Sequence, residues 1–428
     1  SRGNKLYTLD DCLKIAADAN LDIQNAALAF NSQATQVTVA FGQFLPSVTA
    51  NMGYNRQLNV EGGRTINVGG QIFTIGGVQP NSYNMSAVAS YNIFNGFGRE
   101  ANYNRAHHEL DAAEYTLQRT RQQISYQIRS QFLAVLRSMQ VVNIRKENIE
   151  LGKKEVERMK ALNEAGRVPI GNVYTQEADL GSRELDAVNA ENQLNQAKTQ
   201  LLATLAQPPD QRAEFMQSSF SAQLSDDVPI DFRREIGSYG AAVQRAMAKR
   251  MDALSTNARI EAAQSNVTAA RSNYMPTLNA NGGWSWSNTE FDRFSENGRY
   301  FVGFNLSVPI LDNYNASSQV QQAGIQLQQR EIDRQQQELR IKTEVQTAFL
   351  NLDATEKQLE ITQRALKSAD QNFKSATERL AAGAATVIDY ITANTQLVNA
   401  KINRVNAVYS YYDAQLQLRL ATGVLSGI

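Results

Sequence analysis

The chain has 428 residues, and its 42 lysines and arginines are balanced by 42 aspartates and glutamates, so no net field points to nucleic acid as a partner. No run of about twenty apolar residues is present, which excludes a membrane-spanning helix but not membrane strands, whose alternation hides from hydropathy averages. A single cysteine, Cys12, excludes an internal disulfide. A mature lipoprotein carries its modified cysteine in first position, where Ser1 stands here, so the sequence gives no sign of a lipid anchor and leaves lipidation of the native N-terminus open.

Taken in order, Leu9 to Phe41 reads as a helix opened by Thr8, with Asp10 and Asp11 in its first turn. Ser47 to Tyr54 and Asn84 to Phe94 are strand-like, and between them Asn59 to Asn81, with Gly62-Gly63, Gly69-Gly70 and Gly76-Gly77, reads as an exposed flexible loop. A helix of ~65 residues, ~100 Å at 1.5 Å per residue, follows from Gly98 to Asn163. Ile128, Val135, Val142, Ile149 and Val156 recur in it every seven residues, the spacing of knobs-into-holes packing. Ala165-Gly166-Arg167-Val168-Pro169 breaks this helix, and a returning helix carries Leu180, Ala187, Leu194 and Leu201. Pro208-Pro209 to Ile236 is a polar connector.

From Tyr239 the pattern begins again. A helix runs to about Ser272, strands are expected over Thr277 to Ser285 and Tyr300 to Leu311, and a second heptad helix carries Val345, Leu352, Leu359, Leu366, Phe373 and Leu380. It breaks at Ala382-Gly383-Ala384-Ala385 and returns with Leu397, Tyr411 and Leu418. Aligning Leu45-Pro46 with Met275-Pro276 gives an offset of 276 − 46 = 230, and aligning Ser90 with Ser307 gives 307 − 90 = 217, which holds without a gap to Ala203 over Leu420. The difference, 230 − 217 = 13 residues, is extra length in the first hairpin. The chain is thus a duplication: a first repeat over 1–206, a non-repeated equatorial connector over 207–238 and a second repeat over 239–428.

Four short strands cannot close a barrel, and an open sheet edge cannot face lipid. Three chains supply 3 × 4 = 12 strands, which can. The fold class expected is therefore an α+β membrane protein, a trimeric 12-stranded β-barrel with four strands per chain, continued by a long α-helical coiled-coil barrel. Tyr54, Tyr83, Trp284, Trp286, Tyr300 and Phe301 lie near the strands and suggest an interfacial aromatic girdle.

Several features of this pattern resemble the TolC family of outer-membrane efflux channels, from about Leu9 to Val424. They are the strand-start prolines Pro46 and Pro276, the strand ends Asn92-Ile93-Phe94 and Pro309-Ile310-Leu311, and the glycine-bearing turns. Arg379-Leu380-Ala381-Ala382-Gly383 fits the family turn, whereas Leu162-Asn163-Glu164-Ala165-Gly166 lacks its arginine. The resemblance implies a homotrimer in the outer membrane of a Gram-negative bacterium, embedded in outer-membrane lipid, with the helical part in the periplasm. It also implies a periplasmic adaptor protein and an inner-membrane transporter as partners, and a passive exit duct for small molecules or polypeptides. By position from the turn glycines, the family's aperture acids fall on Asn172, Asp389 and Thr392, of which only Asp389 is acidic. A ring weaker than in acid-rich relatives follows, cation-selective with modest block by multivalent cations. The adaptor-docking tips fall on Gly166 with Arg167 and Gly383 with Ala384; the glycines match the family and their neighbours do not.

No catalytic residue, cofactor or metal site is expected. His107 and His108 are adjacent and so point to different faces of a helix, Cys12 has no histidine or second thiol near it, and Gly62-Gly63-Arg64-Thr65 lacks the ending of a phosphate loop. The competing reading is a periplasmic coiled-coil adaptor or structural protein without a pore; the doubled strands and their aromatics favour the channel.

Overall fold

The computed structural model describes residues 5–58, 64–75, 79–209, 213–216 and 227–428. Its elements begin with β1 (Lys5–Tyr7), α1 (Leu9–Ala19), α2 (Leu21–Gly42), β2 (Ser47–Arg56), β3 (Arg64–Val68), β4 (Gln71–Ile75) and β5 (Asn81–Phe94). The helices α3 (Gly98–Glu164) and α4 (Ile170–Thr204) complete the first copy, and β6 (Ala213–Phe215) with α5 (Asp227–Ile236) forms the connector. The second copy holds α6 (Tyr239–Lys249), α7 (Met251–Arg271), β7 (Thr277–Asn288), β8 (Arg299–Ser307), α8 (Asn315–Ala381) and α9 (Val387–Ala421). The chain forms two compact units, one of Ser1–Phe30, Ala113–Thr256 and Asp333–Ile428, the other of Asn31–Ala112 and Asn257–Ile332.

In the first unit, each opening helix expected from the sequence is two helices. Asn20 ends α1 in an extended conformation, and its side-chain oxygen accepts from the backbone N–H groups of Asp22 (3.0 Å) and Ile23 (3.2 Å), capping α2. Arg250, likewise extended, breaks α6 from α7, and 250 − 20 = 230. Neither break carries proline or glycine.

The duplication also organises the core. Cys12, Ile128, Phe132 and Leu201 are buried in one cluster, and Ala242, Val345, Phe349 and Leu418, their counterparts by the two offsets, are buried in another. Cys12 therefore fills the place of a small apolar residue, and burial pushes its thiol pKa up to about 12. Truncating a ring such as Phe132, which is fully buried, costs roughly 3–5 kcal/mol in cores of this kind. The connector is less featureless than its polar sequence implies. β6 pairs in parallel with β1, Phe232 and Ile236 of α5 are buried, and Arg233 pairs with Asp353 and, at 2.8 Å, with Glu356 of α8.

The second unit holds an antiparallel four-stranded sheet in the order β2-β5-β7-β8, with the outer edges of β2 and β8 unpaired among the described residues. Gly69 and Gly70, both at positive φ, join β3 to β4 as a two-residue hairpin turn, with the Gly70 N–H donating to Asn67 Oδ1 at 3.0 Å. Within the stretch Asn59 to Asn81, expected as an exposed flexible loop, residues 64–75 thus form an ordered hairpin. Residues 59–63 and 76–78 of that stretch, with Gly62-Gly63 and Gly76-Gly77, lie outside the described residues. No described helix is long and apolar enough to cross a membrane.

Candidate membrane surface and helical aperture

Strand pairing fixes which residues share a face of the sheet, because directly opposed residues point the same way and neighbours along a strand alternate. Tyr54 opposes Tyr83, Met52 opposes Met85, Met85 opposes Trp286, Trp284 opposes Tyr300, and Ala280 opposes Phe304. One face is thus apolar and aromatic over most of its length, with Arg56, Asn81 and Asn288 at its hairpin-tip end. Tyr300, Val302 and Phe304 on it are 87%, 81% and 71% exposed, an arrangement that water penalises and lipid does not. On the other face Asn51 opposes Ser86, Ser90 opposes Asn281, Asn92 opposes Asn279, and Asn279 opposes Asn305. Asn92 Nδ2 donates to Asn279 Oδ1 there at 2.8 Å.

The expected girdle divides on this geometry. Tyr54 and Tyr83 pack with ring centroids 4.9 Å apart, the Tyr54 hydroxyl donating to Asn81 Oδ1 at 3.0 Å, and Trp284 and Tyr300 share their face. Trp286 lies on that face but is only 1% exposed. Phe291 and Phe294 of the β7–β8 loop enclose it, with ring centroids 6.3 and 5.2 Å away, and its indole N–H donates to the Arg293 carbonyl at 3.2 Å. Phe301 opposes Gly283 and so stands on the polar face, not in the girdle. Period-two alternation alone separates Phe301 from Tyr300; what the sequence did not signal was the loop that covers Trp286.

At the helical turns of the first unit, Gly166 and Gly383 take positive φ and close matching caps. Arg167 N–H donates to the Leu162 carbonyl and Ala384 N–H to the Arg379 carbonyl, each at 2.8 Å. Gly166, Arg167, Gly383 and Ala384 are all exposed. Behind them Met159, Val173 and Val387 are buried together, with Leu162, Leu380 and Ile391 packed against them, so the two turns share one small core.

Just past the second turn, Asp389 closes a capping box. Its N–H donates to Thr386 Oγ1 (3.1 Å), and its Oδ2 accepts from the Thr386 N–H (2.9 Å) and hydroxyl (2.8 Å). The backbone and side-chain hydrogen bonds from Thr386 hold its carboxyl below the usual aspartate range. Asp389 and Thr392 are exposed and three apart on α9, hence on neighbouring positions of one helix face, while Asn172 on α4 is half-buried. The first copy has Pro169 where the second has Thr386, and its helix starts without a side-chain cap. The pattern Thr386-x-x-Asp389 was the available signal for this cap.

A buried polar group went unread. Arg183, 4% exposed, donates through Nε to Asp179 (2.6 Å) and through Nη1 to the carbonyl and side-chain oxygens of Asn148 (3.0 Å each), and Asn394 of α9 donates to Asn148 Oδ1 at 2.8 Å. It ties α9 of the second copy to α3 and α4 of the first. The adjacent histidines have separate partners: His107 packs on Tyr103 at 4.6 Å, and His108 Nδ1 lies 3.1 Å from Glu261.

A sheet with one largely lipid-compatible face and a duplicated set of very long helices are together the features of an outer-membrane channel protein. The chain belongs to the outer membrane efflux protein family, whose pattern it matches over residues 12–207 and 242–424. It is 24% identical over 313 residues to the outer membrane protein TolC of Vibrio cholerae, covering 72% of this chain and 69% of that protein. Over 414 residues it is 24% identical to the pyoverdine export outer membrane protein OpmQ of Pseudomonas aeruginosa, covering 96% and 82%. Among solved structures, the CmeC outer membrane channel of Campylobacter jejuni superposes with a TM-score of 0.79 at 17% identity, covering 98% of this chain and 86% of that one. VceC of Vibrio cholerae gives 0.78 at 18% identity, covering 98% and 96%. These structural likenesses establish the fold, and the family match establishes an outer-membrane efflux channel of a family of passive conduits.

Proposed function

We propose that three copies of this chain form the exit duct of a tripartite efflux or secretion assembly. The observation that carries this is the sheet: four strands, two unpaired edges, one apolar exposed face and one face of amides and hydroxyls. Twelve strands from three chains would leave no edge in lipid and turn the polar face to a water-filled lumen. Tyr54, Tyr83, Trp284 and Tyr300 then mark the membrane interface. The turns carrying Gly166 with Arg167 and Gly383 with Ala384 meet a periplasmic adaptor that couples the duct to an inner-membrane transporter. Asp389, with Thr392 beside it and Asn172 at the matching place in the first copy, lines the narrow helical end.

Native mass in mild detergent and conductance in planar bilayers test the reading. A trimer that conducts ions is the expected result; a stable monomer or dimer without conductance overturns it.

A further inference from the structure

We infer that the unpaired edges of β8 and β2 join neighbouring copies in one defined register, with Ser307 opposite the partner's Asn51, Leu306 opposite the partner's Met52 and Phe304 opposite the partner's Tyr54. The inference rests on the trimeric reading above and adds the residues that meet.

The argument is the duplication. Offsets of 230 for the strand before each hairpin and 217 for the strand after it were read from sequence alone. They reproduce the observed pairing inside the two hairpins: Ser47 opposes Ser90 and Thr277 opposes Ser307, where 277 − 47 = 230 and 307 − 90 = 217. Val48 opposite Ala89 likewise becomes Leu278 opposite Leu306. Since the offsets carry register within hairpins, they apply to the seam between them.

That seam is β5 against β7, with Ser90 opposite Asn281, Ala89 opposite Gly282 and Ala87 opposite Trp284. Moving β5 forward by 217 gives Ser307, Leu306 and Phe304 on β8; moving β7 back by 230 gives Asn51, Met52 and Tyr54 on β2. Both are the strands whose outer edges are free.

Chemistry supplies an independent check. The register sets apolar Leu306 and Phe304 against apolar Met52 and Tyr54, all exposed within the single chain, and keeps Ser307 and Asn51 on the polar face. Aromatic and aliphatic cross-strand pairs of this kind stabilise a sheet. A slip of one residue would set each apolar side chain against the polar face. A slip of two would preserve the faces, so the experiment must resolve that case.

Disulfide trapping does so, because directly opposed residues lie ~4.5–5.5 Å apart between Cα atoms and diagonal ones ~7–8 Å, beyond disulfide reach. The full chain carrying Ser307→Cys with Asn51→Cys is oxidised in mild detergent beside Asn305→Cys with Asn51→Cys, the two-residue slip. Phe304→Cys with Tyr54→Cys serves as a second in-register pair on the opposite face. The native Cys12 is buried with its pKa pushed up to about 12 and does not compete. Both in-register pairs should lose the monomer band to covalent dimer and trimer, and the slipped pair should keep it. Trapping of the slipped pair, or of no pair in a particle of trimeric mass, overturns the register and leaves the trimer standing. A monomeric mass overturns both.

Discussion

Asn20 and Arg250 hold the same station in the two copies, and each donates a hydrogen bond to the end of the returning helix of its own copy. Asn20 Nδ2 reaches the Thr204 carbonyl at 2.8 Å, and Arg250 Nη1 reaches the Ala421 carbonyl at 3.2 Å. The two acceptors are themselves counterparts, since 421 − 204 = 217. A junction between three helix ends has thus been kept while the residue that makes it changed from an amide to a guanidinium. The larger side chain also gathers Asp252 and Glu344, each at 2.6 Å.

Replacing these two residues should therefore have unequal effects. Arg250→Ala removes a wholly buried side chain that bonds the Ala421 carbonyl and pairs with the partly exposed Asp252 and Glu344, leaving Asp252 with Arg119 at 3.8 Å, and should cost about 2–3 kcal/mol. Asn20→Ala removes one interhelical bond and a helix cap, about 1–2 kcal/mol. Thermal loss of helical circular dichroism in detergent should show the larger drop in midpoint for Arg250→Ala. Equal drops would mean that the ion cluster contributes nothing beyond the shared carbonyl bond.

Ala206 takes φ +52° where its counterpart Gly423 takes +72°. An alanine in that region is strained by about 1 kcal/mol relative to glycine. Ala206→Gly should raise stability by roughly that amount. Gly423→Ala should lower it by more, since a Cβ there would lie 3.1 Å from Arg250 Cγ and 3.2 Å from its backbone nitrogen. Denaturant midpoints of the two variants should move in opposite directions.

Asp389 combines a helix cap with the proposed aperture charge, and the two can be separated. Asp389→Asn should lower cation selectivity and relieve block by multivalent cations in planar bilayers with the trimer intact. Thr386→Ala should weaken the cap and leave selectivity unchanged. Because the folded-state pKa of Asp389 is depressed, its stabilising effect is present above the ordinary aspartate value near 3.9 and is lost as pH falls through the lower folded value. Selectivity should accordingly persist as the bath is acidified to about pH 4 and decline only below it. Unchanged selectivity in Asp389→Asn would leave the residue a helix cap alone.

Among the described residues the hairpin β3–β4 pairs only with itself, and the second copy lacks 13 residues at this place. Removing residues 64–76 should leave native mass and conductance as they are. Loss of assembly would show that the hairpin packs into the particle.

Much of the frame was legible because repetition doubles every signal. Heptads placed α3 and α8, prolines and alternation placed the four sheet strands, and the offsets carried the register. What stayed hidden depended on groups distant in sequence. Asn20 and Arg250 break helices by bonding to carbonyls 184 and 171 residues away, with no local breaker to announce it. Trp286 looked like a surface aromatic until the β7–β8 loop covered it. The Arg183 cluster has no equivalent in the other copy, because Ala400 and Ala365 stand where Arg183 and Asn148 do in the first. The β3–β4 hairpin was the exception, since its paired glycines were a turn signal in plain view.

The polar face of the sheet is built mostly from asparagine, serine, threonine and glycine, with Val88 and Phe301 as its apolar members, and Arg299 at one strand end is its sole ionised side chain among the paired positions described. Such a wall offers water a continuous set of donors and acceptors but holds no standing counter-ion layer. A solute gliding along it exchanges one hydrogen-bond partner for another of similar strength and meets no deep adsorption well of either sign. In the proposed trimer, discrimination by charge would thereby fall to the helical end, and the mouth toward the exterior would be non-adhesive.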